Sequence, residues 1–186
     1  MICGPTVFAY SAPCAPQMGG IKAILIANPD AVKLNSMSDS AGTCTLAPVT
    51  VGAKPFYRWE VAPGQSTLNA EAQISEANGV RYFATDLVAA LNGFVPTSAG
   101  ANLLKRLHRV AVIVELKNGS SVFLGLVRNS ANGDDNGKLT RGMEVTGITW
   151  TPGQAVGDAV RASVTMHLDS ELAPLSVSLY SALVNS

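Results

Sequence analysis

The chain has 186 residues, with 13 Lys+Arg against 13 Asp+Glu, zero formal net charge at pH 7, 47% hydrophobic residues and 14% charged ones. Soluble domains ordinarily carry about 25% charged residues, and over the roughly 8,500 Å² of surface expected at this mass the chain has only about one charge per 330 Å². This composition excludes a disordered, collagenous or coiled-coil chain and a basic face that binds nucleic acid by counterion release, and it points to one core whose sparsely charged surface is covered by further copies.

Residues 1–20 mix three prolines and three glycines with small apolar residues. Such a stretch cannot sustain a helix and reads as an extended N-terminal arm. The run IKAILIA, Ile21 to Ala27, reads as a buried strand closed by a turn at Asn28-Pro29-Asp30. Residues 35–43, NSMSDSAGT, read as a loop, and CTLAPVTV and PFYRWEV as two short strands around Gly52-Ala53-Lys54.

Thr67 to Ala77 and Val80 to Leu91 flank Asn78-Gly79, a strong signal for a two-residue hairpin turn, so a long ribbon is expected over 67–91. A two-residue loop sets Ala77 opposite Val80, Glu76 opposite Arg81 and Glu71 opposite Asp86. One ribbon face then carries Leu68, Ala70, Ile74, Phe83 and Leu87, while the other carries Asn69, Glu71, Gln73, Ser75, Tyr82 and Asp86. The first seeks a core and the second tolerates water and concentrates negative charge.

A short helix is expected over 98–109, with Ser98 as N-cap, Leu103, Leu104 and Leu107 on one side, and Lys105, Arg106 and Arg109 toward its C-terminus. A second Asn-Gly hairpin, Val110 to Lys117 and Ser120 to Val127, is apolar enough to be central in a sheet. After a polar loop at 129–141 come strands at Glu144 to Thr151 and Asp158 to Leu168, and residues 173–186 form a last strand or C-terminal arm. The main β-domain thus spans 21–172.

Chemistry is sparse. The sequence has neither a phosphate-binding Gly-Lys-Ser/Thr loop nor a dinucleotide fingerprint, and Asn132 to Gly137 lacks the ligand frame of a calcium loop. Cys3, Cys14 and Cys44 lack zinc-site spacing and read as free thiols of a reducing compartment. His108 and His167, and the carboxylates Asp134 and Asp135, have no companions in sequence that would mark a catalytic centre. No enzyme activity, cofactor or metal is expected. Trp59 and Trp150 read as core aromatics, with an intersubunit anchor as the other use of a Trp. The first basic residue is Lys22 and no apolar run approaches membrane-spanning length, so a soluble protein made in the cytoplasm, without membrane contact, is expected.

The order of elements, with the ribbon Leu68 to Leu91, the unit LLKRLHRVAVIVELKNGSSVFLGLV from Leu103 to Val127, and the closing strands EVTGITW and VRASVTMHL, resembles that of bacteriophage tail tube proteins. The likeness covers Thr67 to Leu168 and excludes the N-terminal arm. It implies a mainly β protein, an antiparallel sandwich or barrel with one flanking short helix and a long hairpin. It also implies hexameric rings stacked into a tube, contacts with other tail proteins, and transient, non-specific passage of genomic DNA. On that resemblance Glu71, Gln73, Ser75 and Asp86 line the channel, and Leu68, Ile74, Phe83 and Leu87 belong to the hairpin face that packs on the body and between subunits. The protein would be made in a bacterial host and reside in the virion tail. Alternatives of related architecture are a head-to-tail ring, a tail terminator or a capsid decoration protein, and, from a different class, a monomeric β-sandwich binding module.

Overall fold

The computed structural model describes residues 19–38, 42–62, 64–75, 80–92, 108–126, 142–151, 160–170, 173–178 and 180–185. These contain twelve strands: β1 Ile21–Ala27, β2 Val32–Ser38, β3 Thr43–Pro48, β4 Phe56–Glu60, β5 Thr67–Ser75, β6 Val80–Asn92, β7 Arg109–Leu116, β8 Ser121–Leu124, β9 Met143–Thr151, β10 Arg161–Ser170, β11 Leu175–Val177 and β12 Val184–Asn185. Single 3-10 turns occur at Pro29–Ala31 and Ser181–Leu183, and no α-helix occurs among the described residues. The expected arm over 1–20 lies outside the described residues except for Gly19 and Gly20, as do the loop at 129–141 and positions 98–107 of the expected helix. Arg109, assigned to the end of that helix, instead opens β7, because its neighbours Val110 to Val114 are buried on both sides of a strand.

The strands form one mixed sheet in the order β2-β3-β11-β8-β7-β9-β10-β6-β5, with β1 also on β7, β4 on β1 and β12 on β4. Pairing is antiparallel except for β11 with β3 and β12 with β4. The apolar runs of β1 and β7 are explained by cover on both faces. Alternate residues of each serve two clusters. Ile24, Ile26, Val110, Val112 and Val114 join Leu87, Ala89, Leu91, Met143, Ala162, Val164, Met166 and Leu168 in the first. Leu25, Ala27, Ala111 and Ile113 join Val32, Cys44, Leu46, Phe56, Phe123, Leu175, Val177 and Leu183 in the second. β10 shows the other strand pattern, since Ala162, Val164, Met166, Leu168 and Ser170 are buried while the residues between them are not.

Three local features differ from the sequence expectation. Residues 35–38 are the second half of β2, because pairing with β3 and the hydrogen bond between the Ser36 and Thr45 hydroxyls hold a polar segment extended. The turn at Asn28 becomes a 3-10 turn capped by the Asn28 carboxamide, which accepts from the Asp30 N–H at 3.1 Å. The β7–β8 hairpin closes through residues 117–119, with the Leu116 N–H donating to the Ser120 carbonyl (2.9 Å) and the Gly119 N–H to the Leu116 carbonyl (3.1 Å). Gly119 takes φ 87°, the left-handed residue that such a loop requires.

The backbone is closely apposed at Gly142, where a Cβ would stand 2.6 Å from the Val110 carbonyl oxygen and 2.8 Å from Pro29 Cγ. Only a glycine lets the chain enter β9 beside β7 at this distance.

Candidate functional site

The ribbon is present but its register is not the expected one. Ser75 pairs with Val80, Glu71 with Ala84, Asn69 with Asp86 and Ile74 with Arg81. Glu71 therefore does not face Asp86, because four residues rather than two separate the last described pair of the ladder, and Glu76, the expected partner of Arg81, lies outside the described residues. The displacement is by two positions, and side chains alternate with period two, so each residue keeps its expected face.

β6 pairs on its other side with β10, and β10 with β9, which makes the ribbon half of a four-stranded surface. Its polar face consists of cross-strand rows: Glu71, Ala84, Asp169; then Asn69, Asp86, His167, Glu144; then Thr67, Val88, Thr165, Gly147; then Ala90, Ser163, Thr149; then Asn92, Arg161, Thr151. Glu144 reaches this face through a bulge at Thr146, whose hydroxyl donates to the Thr165 carbonyl (3.3 Å). Four carboxylates thus share the surface with His167 and Arg161.

His167 lies between two of these carboxylates. Its Nδ1 is 2.7 Å from Asp86 Oδ1 and its Nε2 is 3.2 Å from Asp169 Oδ1. The Asp86 hydrogen bond is the largest cause of a His167 pKa raised above its ordinary value, partial burial works against it, and Asp169 adds to the rise.

The opposite face carries the expected apolar residues with unequal cover. Leu87 is fully buried and Leu68 packs half-buried on the first cluster. Toward the tip, Phe83 is half-buried, Ala70 and Ala72 are exposed, and Ile74 is 61% exposed. Gln73 is half-buried on the polar face opposite Tyr82, and Ser75 occupies a polar-face register position. At the far margin, Ile148 (37% exposed) and Trp150 (48% exposed) share a face with the buried Val164 and Ala162. Trp150 is therefore not a core aromatic, whereas Trp59 packs against the first cluster. Neither the outer edge of β5 nor that of β9 beyond Val145 has a strand partner among the described residues.

A second polar group closes one end of the second cluster. Arg58 grips Glu115 through both guanidinium amines (2.8 and 3.2 Å), and the Tyr180 hydroxyl donates to Glu115 (3.0 Å) while sharing a 2.7 Å hydrogen bond with Ser121. Burial is the largest cause of the raised Tyr180 pKa. This network fastens the C-terminal segment to β7 and β8. A concavity lined by Thr85, Phe123, Leu126 and Leu168 encloses about 10 Å³, room for about one water and far below the roughly 300–1,000 Å³ of a small-molecule pocket. No group of three or more His, Cys, Asp or Glu is placed to hold a metal among the described residues.

His167 and Asp169 alternate on one strand face in the sequence VTMHLDS, a signal that could have paired them in advance. Asp86 is 81 positions away from His167 and arrives only through the β6–β10 ladder.

No family model matches the chain, and no curated protein matches it. Among solved structures, a chain of the virion of a native gene transfer agent (GTA) particle aligns with 81% of this chain and 98% of its own length, at 9% identity and a TM-score of 0.34.

Proposed function

We propose that the chain is a structural subunit of a virion tail, a tube protein whose sandwich-like body presents the β5–β6–β10–β9 surface to a DNA-conducting channel in stacked hexameric rings. The observation that carries this is the four-stranded surface β5–β6–β10–β9, whose two margins, β5 on one side and β9 beyond Val145 on the other, are unlike and have no strand partner among the described residues. β5 exposes Ala70, Ala72 and Ile74 at one margin, and β9 exposes Ile148 and Trp150 on the same face at the other. Unlike edges join head to tail, and a head-to-tail contact whose rotation closes makes a ring. The ring would cover both apolar margins and continue the sheet from copy to copy. Glu71, Gln73, Ser75 and Asp86, with Glu144 and Asp169, would then line a bore that repels phosphate, so that DNA slides without adhering. Leu68 and Leu87 hold the ribbon on its own body, and Ile74 and Phe83 face the neighbouring copy.

Negative-stain imaging of the purified protein tests this. Rings or open-ended tubes are expected, and Ile74→Lys or Ile148→Lys should abolish them while the circular dichroism spectrum stays that of the wild type. A single monodisperse species near 19 kDa at high concentration would overturn the proposal, and closed rings that never stack would assign a terminator or connector role instead.

A further inference from the structure

We propose that His167 is a protonation-dependent clamp between β6 and β10, set at the base of the ribbon. Both ring nitrogens face carboxylate oxygens, Nδ1 toward Asp86 of β6 (2.7 Å) and Nε2 toward Asp169 of its own strand (3.2 Å). An ionised carboxylate only accepts hydrogen bonds, so both nitrogens can be satisfied together only as N–H donors, in the imidazolium. A neutral ring keeps one bond and sets its bare nitrogen against the other carboxylate.

The surroundings reinforce this asymmetry. Glu144 of β9 is the direct cross-strand partner of His167, and Arg109 of β7 stands opposite Glu144. From β5, Asn69 stands behind Asp86, and Glu71 lies in the next row with Asp169. When His167 loses its proton, the cation held by Asp86 and Asp169 disappears and these two carboxylates repel across the seam, while Arg109 remains to offset Glu144. β6 is shared between the ribbon and a ladder to β10 that runs beside it from Asn92 to Phe83, so this seam governs how firmly the ribbon is held on the sheet.

The direction of the pH effect follows from the raised pKa of His167 in the folded chain. A folded value above the unfolded one means that the stabilisation is complete below the ordinary value of 6.5 and is lost as pH rises through the folded value. The clamp does not depend on ring formation, since all its members belong to one copy.

Exchange of the histidine C2 hydrogen followed by mass spectrometry reports the titration of His167 in assembled or dispersed protein. The midpoint is expected above 6.5 in the wild type and lower in both Asp86→Asn and Asp169→Asn, and a wild-type midpoint at or below 6.5 would overturn the proposal. Backbone amide exchange over 84–89 and 164–169, compared at each pH between wild type and His167→Gln so that intrinsic rates cancel, reads the consequence. Below the midpoint the wild type should exchange about two- to five-fold more slowly, the range of an exposed ion pair, and the ratio should fall to one above it. A ratio that does not change with pH would equally overturn it.

Discussion

Substituting Gly142 by alanine adds a single methyl group at the most crowded glycine described above. The new Cβ would meet the Val110 carbonyl oxygen at 2.6 Å, the Val110 carbonyl carbon at 2.7 Å and Pro29 Cγ at 2.8 Å. Cβ atoms are not found below about 3.0 Å of such neighbours. Two of the three atoms are backbone of β7, which is fixed in place by the pairing of Arg109 with Glu144 and Val110 with Met143. Relief therefore requires displacing the β7–β9 junction, and overpacking of this kind costs about 1–3 kcal/mol. At about 2–4 °C per kcal/mol for a chain of this size, Tm should fall by about 2–12 °C. Gly147→Ala is the internal control, because its Cβ would have Thr165 Cβ at 3.8 Å as nearest neighbour, an ordinary contact. It should leave Tm unchanged or raise it slightly through the lost freedom of the unfolded chain. Scanning calorimetry of both variants decides the matter. Equal Tm values would refute the idea that the β7–β9 junction is held by backbone apposition at Gly142.

Two other outcomes are expected. Burial pushes the Cys44 thiol up to about 12, so in a Cys3→Ser, Cys14→Ser background the protein should resist maleimide labelling at pH 8 and react only on denaturation; rapid labelling of the folded protein would contradict the burial of β3 in the second cluster. Glu71→Lys should leave tubes intact but slow DNA release from particles that carry it, measured by the accessibility of the released DNA to nuclease, and unchanged release would remove Glu71 from the bore.

Strand positions in the chain were legible where burial is one-sided or complete. IKAILIA and the alternation of β10 read directly as strands because apolar residues recur with the period that the pleat requires. The faces of the ribbon were legible too, and they survive a wrong register because a two-residue displacement preserves side-chain parity. The register itself depends on how many residues the loop takes up, which Asn78-Gly79 alone does not determine. β2 was hidden because Asn35, Ser36 and Ser38 are loop-prone residues held extended only by β3, a tertiary effect. The Asp86–His167–Asp169 group was half visible, since its strand-local pair lies two residues apart, whereas the third member depends on a long-range ladder. Trp150 misled because aromatic character signals burial without saying whether the cover comes from the same copy.

The division of β1 and β7 between two clusters bears on how the molecule comes apart. Ile24 and Val112 belong to one cluster, and Leu25 and Ile113, their immediate neighbours along the same strands, to the other. Neither half can melt while the other keeps its shape, because the seam between them is a shared pair of strands and not a hinge. Heating subunits kept dispersed by Ile74→Lys should therefore produce one calorimetric peak whose van't Hoff and calorimetric enthalpies agree, and damage on either side should be felt in full on the other.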